Sequence, residues 1–106
     1  MTMCYFFYPI LVIPKVRICD GESTVSVMEG DSMTLHCYYD TNVTPVQSMW
    51  QQNNISISSG EGNGNTSIPL QIKRITRRKS GSYRCTVWNN VGVGSDEVYV
   101  VVMCKL

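Results

Sequence analysis

Ser80-Gly81-Ser82-Tyr83-Arg84-Cys85-Thr86-Val87-Trp88-Asn89-Asn90-Val91-Gly92 is the stretch that decides the fold. Its central residues alternate with a period of two, as a half-buried strand requires. Tyr83, Cys85 and Val87 fall on one face, and Arg84, Thr86 and Trp88 on the other. Upstream, Glu29-Gly30-Asp31 reads as a turn, and a second period-two segment follows it. There Met33, Leu35 and Cys37 share a face, opposite Ser32, Thr34 and His36. Trp50 lies between the two segments.

The trio of Cys37, Trp50 and Tyr83-Arg84-Cys85 resembles the immunoglobulin superfamily. After the second cysteine the chain is similar to the intermediate set, whose pattern is Cys-x-Ala-x-Asn-x-x-Gly. Val87 replaces the alanine, while Asn89 and Gly92 fit. The resemblance covers about residues 22–103, which is the size such a domain needs. It implies an all-β, Greek-key sandwich of two antiparallel sheets. It also implies a Cys37–Cys85 bridge between the sheets, Trp50 packed on the sulfurs, and a Tyr83 hydroxyl that anchors the E–F corner. Leu35, Leu70 and Ile72 complete the expected core.

Two departures refine this expectation. The family usually has an aspartate six residues before the second cysteine, paired with a basic residue near strand D. Here Lys79 occupies that position, and the expected strand-D region, residues 58–65, has no lysine or arginine. Both halves of the ion pair are missing, so a loosened corner is expected. The cysteines are also too close for the C′ and C″ strands of a variable-type domain. The domain is therefore identified as I-set or C2-like.

Strands are expected at 24–28, 32–38, 47–52, 67–73, 81–88 and 95–103. The Ser/Gly/Asn stretch 58–66 reads as the least ordered part, because its glycines carry high backbone entropy and give nothing to pack. Strand D is expected to be short or absent. Pro69 agrees, since a proline inside a strand needs a side without a ladder partner.

The chain has 106 residues and a net charge of +1. That length allows one domain. A core of this size is marginal, and a cross-link closing a loop of this length adds roughly 4 kcal/mol in the chain-entropy model. Such a bond requires an oxidising compartment. The small net charge favours neither nucleic acid nor a membrane surface as partner. Cys4, Cys19 and Cys104 remain. An intramolecular Cys19–Cys104 bridge is not expected, because strands A and G are read as starting and ending at opposite poles. Free thiols are preferred over an interchain bridge. Residues 3–13 form an apolar run inside a leader assigned to 1–21. It is too short to span a bilayer and fits either a weak signal peptide or an interdomain tail.

Catalytic chemistry has little support. His36 lies on the outward parity of its strand, with no nucleophile or orienting carboxylate in a matching motif. No metal-ligand spacing or phosphate loop occurs, and no cofactor is expected. Three glycosylation sequons begin at Asn42, Asn54 and Asn65, and Pro45 weakens the first. Lys73, Arg74, Arg77, Arg78 and Lys79 cluster after strand E. They read better as a solvated corner than as a heparin patch.

The outward face of strands C, F and G has the composition of a protein contact. It presents Met49, Arg84, Trp88 and Tyr99. The resemblance implies an extracellular recognition or adhesion domain of a cell-surface protein that binds another protein, such as a second immunoglobulin-like domain. Tandem neighbours are compatible with it. The alternatives are a structural spacer in a tandem array and a glycan-binding domain that uses Arg84 or the basic corner.

Overall fold

The structure is a computed structural model that describes residues 13–18, 23–62 and 67–104. Eight strands and one 3₁₀ turn follow in chain order: β1 (Lys15–Ile18), β2 (Thr24–Met28), β3 (Met33–Asp40), β4 (Val46–Gln52), β5 (Ile55–Gly62), β6 (Ser67–Ile72), the turn Arg77–Lys79, β7 (Gly81–Trp88) and β8 (Val93–Met103). They form a three-stranded sheet, β1-β3-β6, and a five-stranded sheet, β2-β8-β7-β4-β5. In immunoglobulin lettering the sheets are ABE and A′GFCC′. All pairings are antiparallel except β2 with β8, which run parallel. The expected pair of antiparallel sheets therefore contains one parallel edge.

The core lies between the sheets. Leu35, Cys37, Trp50, Tyr83, Cys85, Val87, Val98 and Val100 are all buried, as are Ile18, Tyr39, Val46, Ile72 and Ile75. Cys37 and Cys85 are disulfide-bonded across the sandwich, with Cα atoms 6.3 Å apart. The Trp50 indole lies between the sheets and donates its Nε1–H to the Ile68 carbonyl, 3.3 Å away. Leu70 packs against this core but is only partly buried. It sits on β6, an outermost strand of its sheet, where cover comes from one side only.

Three regions differ from the sequence-based expectation. The first is β1. Lys15–Ile18 falls in the stretch assigned to the leader, yet it pairs with β3, and Ile18 is fully buried. The Ile18 amide donates to an Asp96 carboxylate oxygen at 2.9 Å. Close by, a Cβ on Gly94 would meet the Pro14 carbonyl at 2.0 Å. Gly94 and Asp96 hold inward-parity positions that Val98 and Val100 fill with apolar bulk further along β8. One leaves room for the incoming chain, and the other satisfies its amide.

The second region is β5. Residues 58–62, expected to be loose or strand D, extend instead along β4 as a C′ strand. Asn53 and Asn54, with φ of 50° and 72°, form the two-residue connection. Two successive left-handed residues match the twist of a hairpin, and asparagine tolerates that conformation. β5 is exposed along nearly all its length, so it needed no hydrophobic alternation. Among the described residues, nothing pairs with the outer edge of β6, and no strand D is present.

The third region is the E–F corner, expected to be loose without its ion pair. Tyr83 donates its buried hydroxyl to the Lys79 carbonyl at 2.5 Å. Gln52 donates to the Arg78 carbonyl at 3.0 Å, and Ser80 donates to the Arg77 carbonyl at 2.7 Å. Neutral hydrogen bonds to carbonyls close the corner instead.

Candidate recognition face

The pairing register sets out the outward face of the five-stranded sheet in rows. The first row runs Glu61, Gln47, Trp88, Val93, and the next runs Ser59, Met49, Thr86, Ser95. Then come Ser56, Gln51, Arg84 and Glu97, followed by Ser82, Tyr99 and Thr24. The four residues expected to bind protein therefore share one face but occupy four separate rows. Trp88 and Arg84 are four positions apart, about 13 Å along the strand. Arg84 does not flank the tryptophan.

Trp88 is 36% exposed, and its cross-strand neighbour Val93 is 57% exposed. Val91, in the turn joining β7 to β8, is exposed too. These three form an apolar tip. Val91 and Val93 were missed from sequence, because reading them needs the register across the hairpin. Asn89 organises that hairpin. Its Oδ1 accepts from the Val91 and Gly92 amides at 2.8 and 3.0 Å, and its Nδ2 donates to the Thr41 hydroxyl at 3.0 Å. The asparagine of the Cys-x-x-x-Asn-x-x-Gly pattern thus fixes the turn that carries the tip.

Arg84 is held by its own sheet. Its guanidinium lies 3.6 Å from Glu97, with both side chains nearly half exposed, and Nη1 donates to the Ser95 hydroxyl at 3.4 Å. Ser82 also donates to Glu97. At this exposure the ion pair contributes little to stability, but it orders the guanidinium. Met49 is half-buried between Ser59 and Thr86. Tyr99 is exposed beside Ser82 and Thr24.

Of the remaining candidates, Asn42 and Asn54 are exposed, and Asn65 lies outside the described residues. Lys73, Arg74, Arg77, Arg78 and Lys79 are all exposed, so the basic corner is solvated. Cys104 is an exposed free thiol, while Cys4 and Cys19 lie outside the described residues. Among the described residues no group of three acidic, histidine or cysteine side chains could hold a metal ion, and no helix is long and apolar enough to cross a membrane. Among the described residues, burial pushes the Tyr83 hydroxyl above the usual tyrosine value. Its hydroxyl is committed to the corner, so it serves architecture.

The sequence profile of the immunoglobulin domain matches residues 23–98. The chain is similar to the human neural cell adhesion molecule L1-like protein, 27% identical over 89% of this chain and 8% of that protein. It is also similar to chimpanzee sialic acid-binding Ig-like lectin 13, 31% identical over 68% of this chain and 18% of the lectin. It therefore spans only a small part of the length of these relatives. Among solved structures, the complex of Dpr2 Ig1-Ig2 with DIP-Theta Ig1-Ig3 superposes with a TM-score of 0.74 at 19% identity, covering 88% of this chain and 33% of the matched one. With the disulfide, the buried tryptophan, the tyrosine corner and the profile in agreement, the chain belongs to the immunoglobulin domain family.

Proposed function

We propose that this chain is an extracellular recognition or adhesion domain of a cell-surface protein, and that it binds another protein through its A′GFCC′ face. One observation carries the reading. Five of the ten exposed large apolar side chains among the described residues share the outward parity of this sheet: Met28, Trp88, Val93, Tyr99 and Met103. The strands of the opposite sheet present only Tyr38. A face with this much large apolar surface and few charges has the composition of a contact core. The named relatives support the class, one being an adhesion molecule and one structural neighbour an assembly of immunoglobulin domains. A second immunoglobulin-like domain is the first partner to test. Passage through the secretory pathway places sugar at Asn54 and Asn65, with less at Asn42.

A specific observation supports a second reading. The lectin relative is named for sialic acid, and Arg84 is an ordered cation on β7. A sugar carboxylate would have to displace Glu97, so this reading ranks below protein binding.

Trp88→Ala separates the readings. Tryptophan offers up to about 250 Å². At 36% exposure, about 90 Å² is open to a partner, worth about 2 kcal/mol at 25 cal/mol per Å². Binding of the secreted domain to cells and to immobilised copies of itself should fall some thirtyfold in Trp88→Ala and Val93→Ser, and should be unchanged in Tyr38→Ser. Unchanged binding in the folded fraction of both variants refutes the face. Binding lost in Arg84→Ala and after sialidase treatment, but kept in Trp88→Ala, selects the glycan reading.

A further inference from the structure

Two concavities meet around the β1–β3 pair. One has a volume of about 400 Å³ and is lined, among the described residues, by Lys15, Val16, Arg17, Tyr38, Tyr39 and Asp40. The other has a volume of about 230 Å³ and is lined by Lys15, Asp40, Thr41 and Asn42. Lys15 and Asp40 belong to both and are cross-strand partners, as are Arg17 and Tyr38. β3 ends at Asp40, and Thr41 and Asn42 follow outside the strand, Asn42 in a bend. Tyr39 and Thr41 are buried, while Tyr38, Asp40 and Asn42 are exposed. Asn42 lines the second concavity beside Lys15 and Asp40. Through the shared Lys15 and Asp40, the two concavities make one strip from Asn42 to Arg17 and Tyr38.

The lining suits a sugar. The Tyr38 ring is 44% exposed and stacks on His36, with centroids 6.0 Å apart and planes 21° apart. A ring held this way offers a fixed apolar face to the C–H-rich side of a pyranose. Arg17 and Lys15 can donate, and Asp40 can accept, towards hydroxyl and acetamide groups. The acceptor is accessible as well, since Asn42 and Thr44 of the Asn42-Val43-Thr44 sequon are both exposed.

We infer that an N-linked glycan on Asn42 is seated along this strip, with its innermost N-acetylglucosamine residues covering Tyr38 and Arg17. The ABE face is then shielded by the protein's own sugar, and the A′GFCC′ face is left open for a partner. This inference rests on the secretory reading above.

The test uses the full chain secreted from mammalian cells, with glycopeptide mapping and timed native digestion by an endoglycosidase. Sugar is expected at Asn42 as well as Asn54, with release from Asn42 at least tenfold slower. Tyr38→Ser should bring the Asn42 rate up to that of Asn54. It should also lower the melting temperature by several degrees more in the glycosylated domain than in an Asn42→Gln domain. Sugar at Asn54 with a bare Asn42 overturns the inference and leaves the secretory reading standing. Equal release rates, with equal melting shifts in the two backgrounds, overturn it too. No sugar at any of the three sequons overturns both.

Discussion

Gly81 opens β7 at a φ of +131°, a region that side-chain-bearing residues rarely enter. A Cβ there would lie 2.5 Å from Asn53 Oδ1 and 2.8 Å from Nδ2. Asn53 sits at the β4–β5 turn and holds Ser82 through two bonds. Its Oδ1 accepts from the Ser82 amide at 3.0 Å, and its own amide donates to the Ser82 carbonyl at 2.8 Å. Gly81→Ala therefore has two costs. The backbone conformation costs about 1–2 kcal/mol. Turning the Asn53 side chain aside removes one hydrogen bond, about 1 kcal/mol. Urea unfolding of the oxidised domain should show a loss of about 2–3 kcal/mol in all. Asn53→Gly, at a residue whose φ of 50° suits glycine, removes the clash and the bond together. In that background Gly81→Ala should cost only the backbone part. The cycle should thus show a coupling of about 1 kcal/mol. Additivity to within about 0.3 kcal/mol, or a neutral Gly81→Ala, refutes the idea that the two turns lock through this contact.

Non-reducing peptide mapping should recover Cys37 joined to Cys85, and removing the pair should cost roughly 4 kcal/mol in urea unfolding. Recovery of either cysteine joined to Cys104 would break the strand assignment. Tyr83→Phe should cost about 1 kcal/mol, because the Lys79 carbonyl loses its donor. The same residue carries a pH dependence. Burial raises its folded-state titration above the ordinary tyrosine value, so the folded state holds the phenolic proton more tightly. This contribution is complete below pH 10 and is lost as the pH rises from there through the folded-state value. Urea midpoints taken from about pH 8 to about pH 11 should fall more steeply for the native domain than for Tyr83→Phe, and parallel curves would refute it.

Much of this domain could be read from short-range pattern. Period-two alternation assigned Tyr83, Cys85 and Val87 inward and Trp88 outward. Parity is a local property, so no distant residue was needed to read it. The family pattern supplied the cysteine partners, because one bridge and one tyrosine corner recur wherever this sandwich forms. Absent hydrophobic pattern was a poor guide. β5 is a strand made largely of serine and glycine, held by backbone pairing and by two asparagines with positive φ, so burial left no mark on its sequence. β1 was hidden for a related reason. Its importance appears only where Gly94 and Asp96, far along the chain, make room for it and take its amide. The recognition face divides in the same way. Its composition followed from parity, but its arrangement did not. Cross-strand register alone put Val93 beside Trp88 and tied Arg84 to Glu97. Register is set by pairing between segments distant in sequence, and it decides which outward side chains are neighbours.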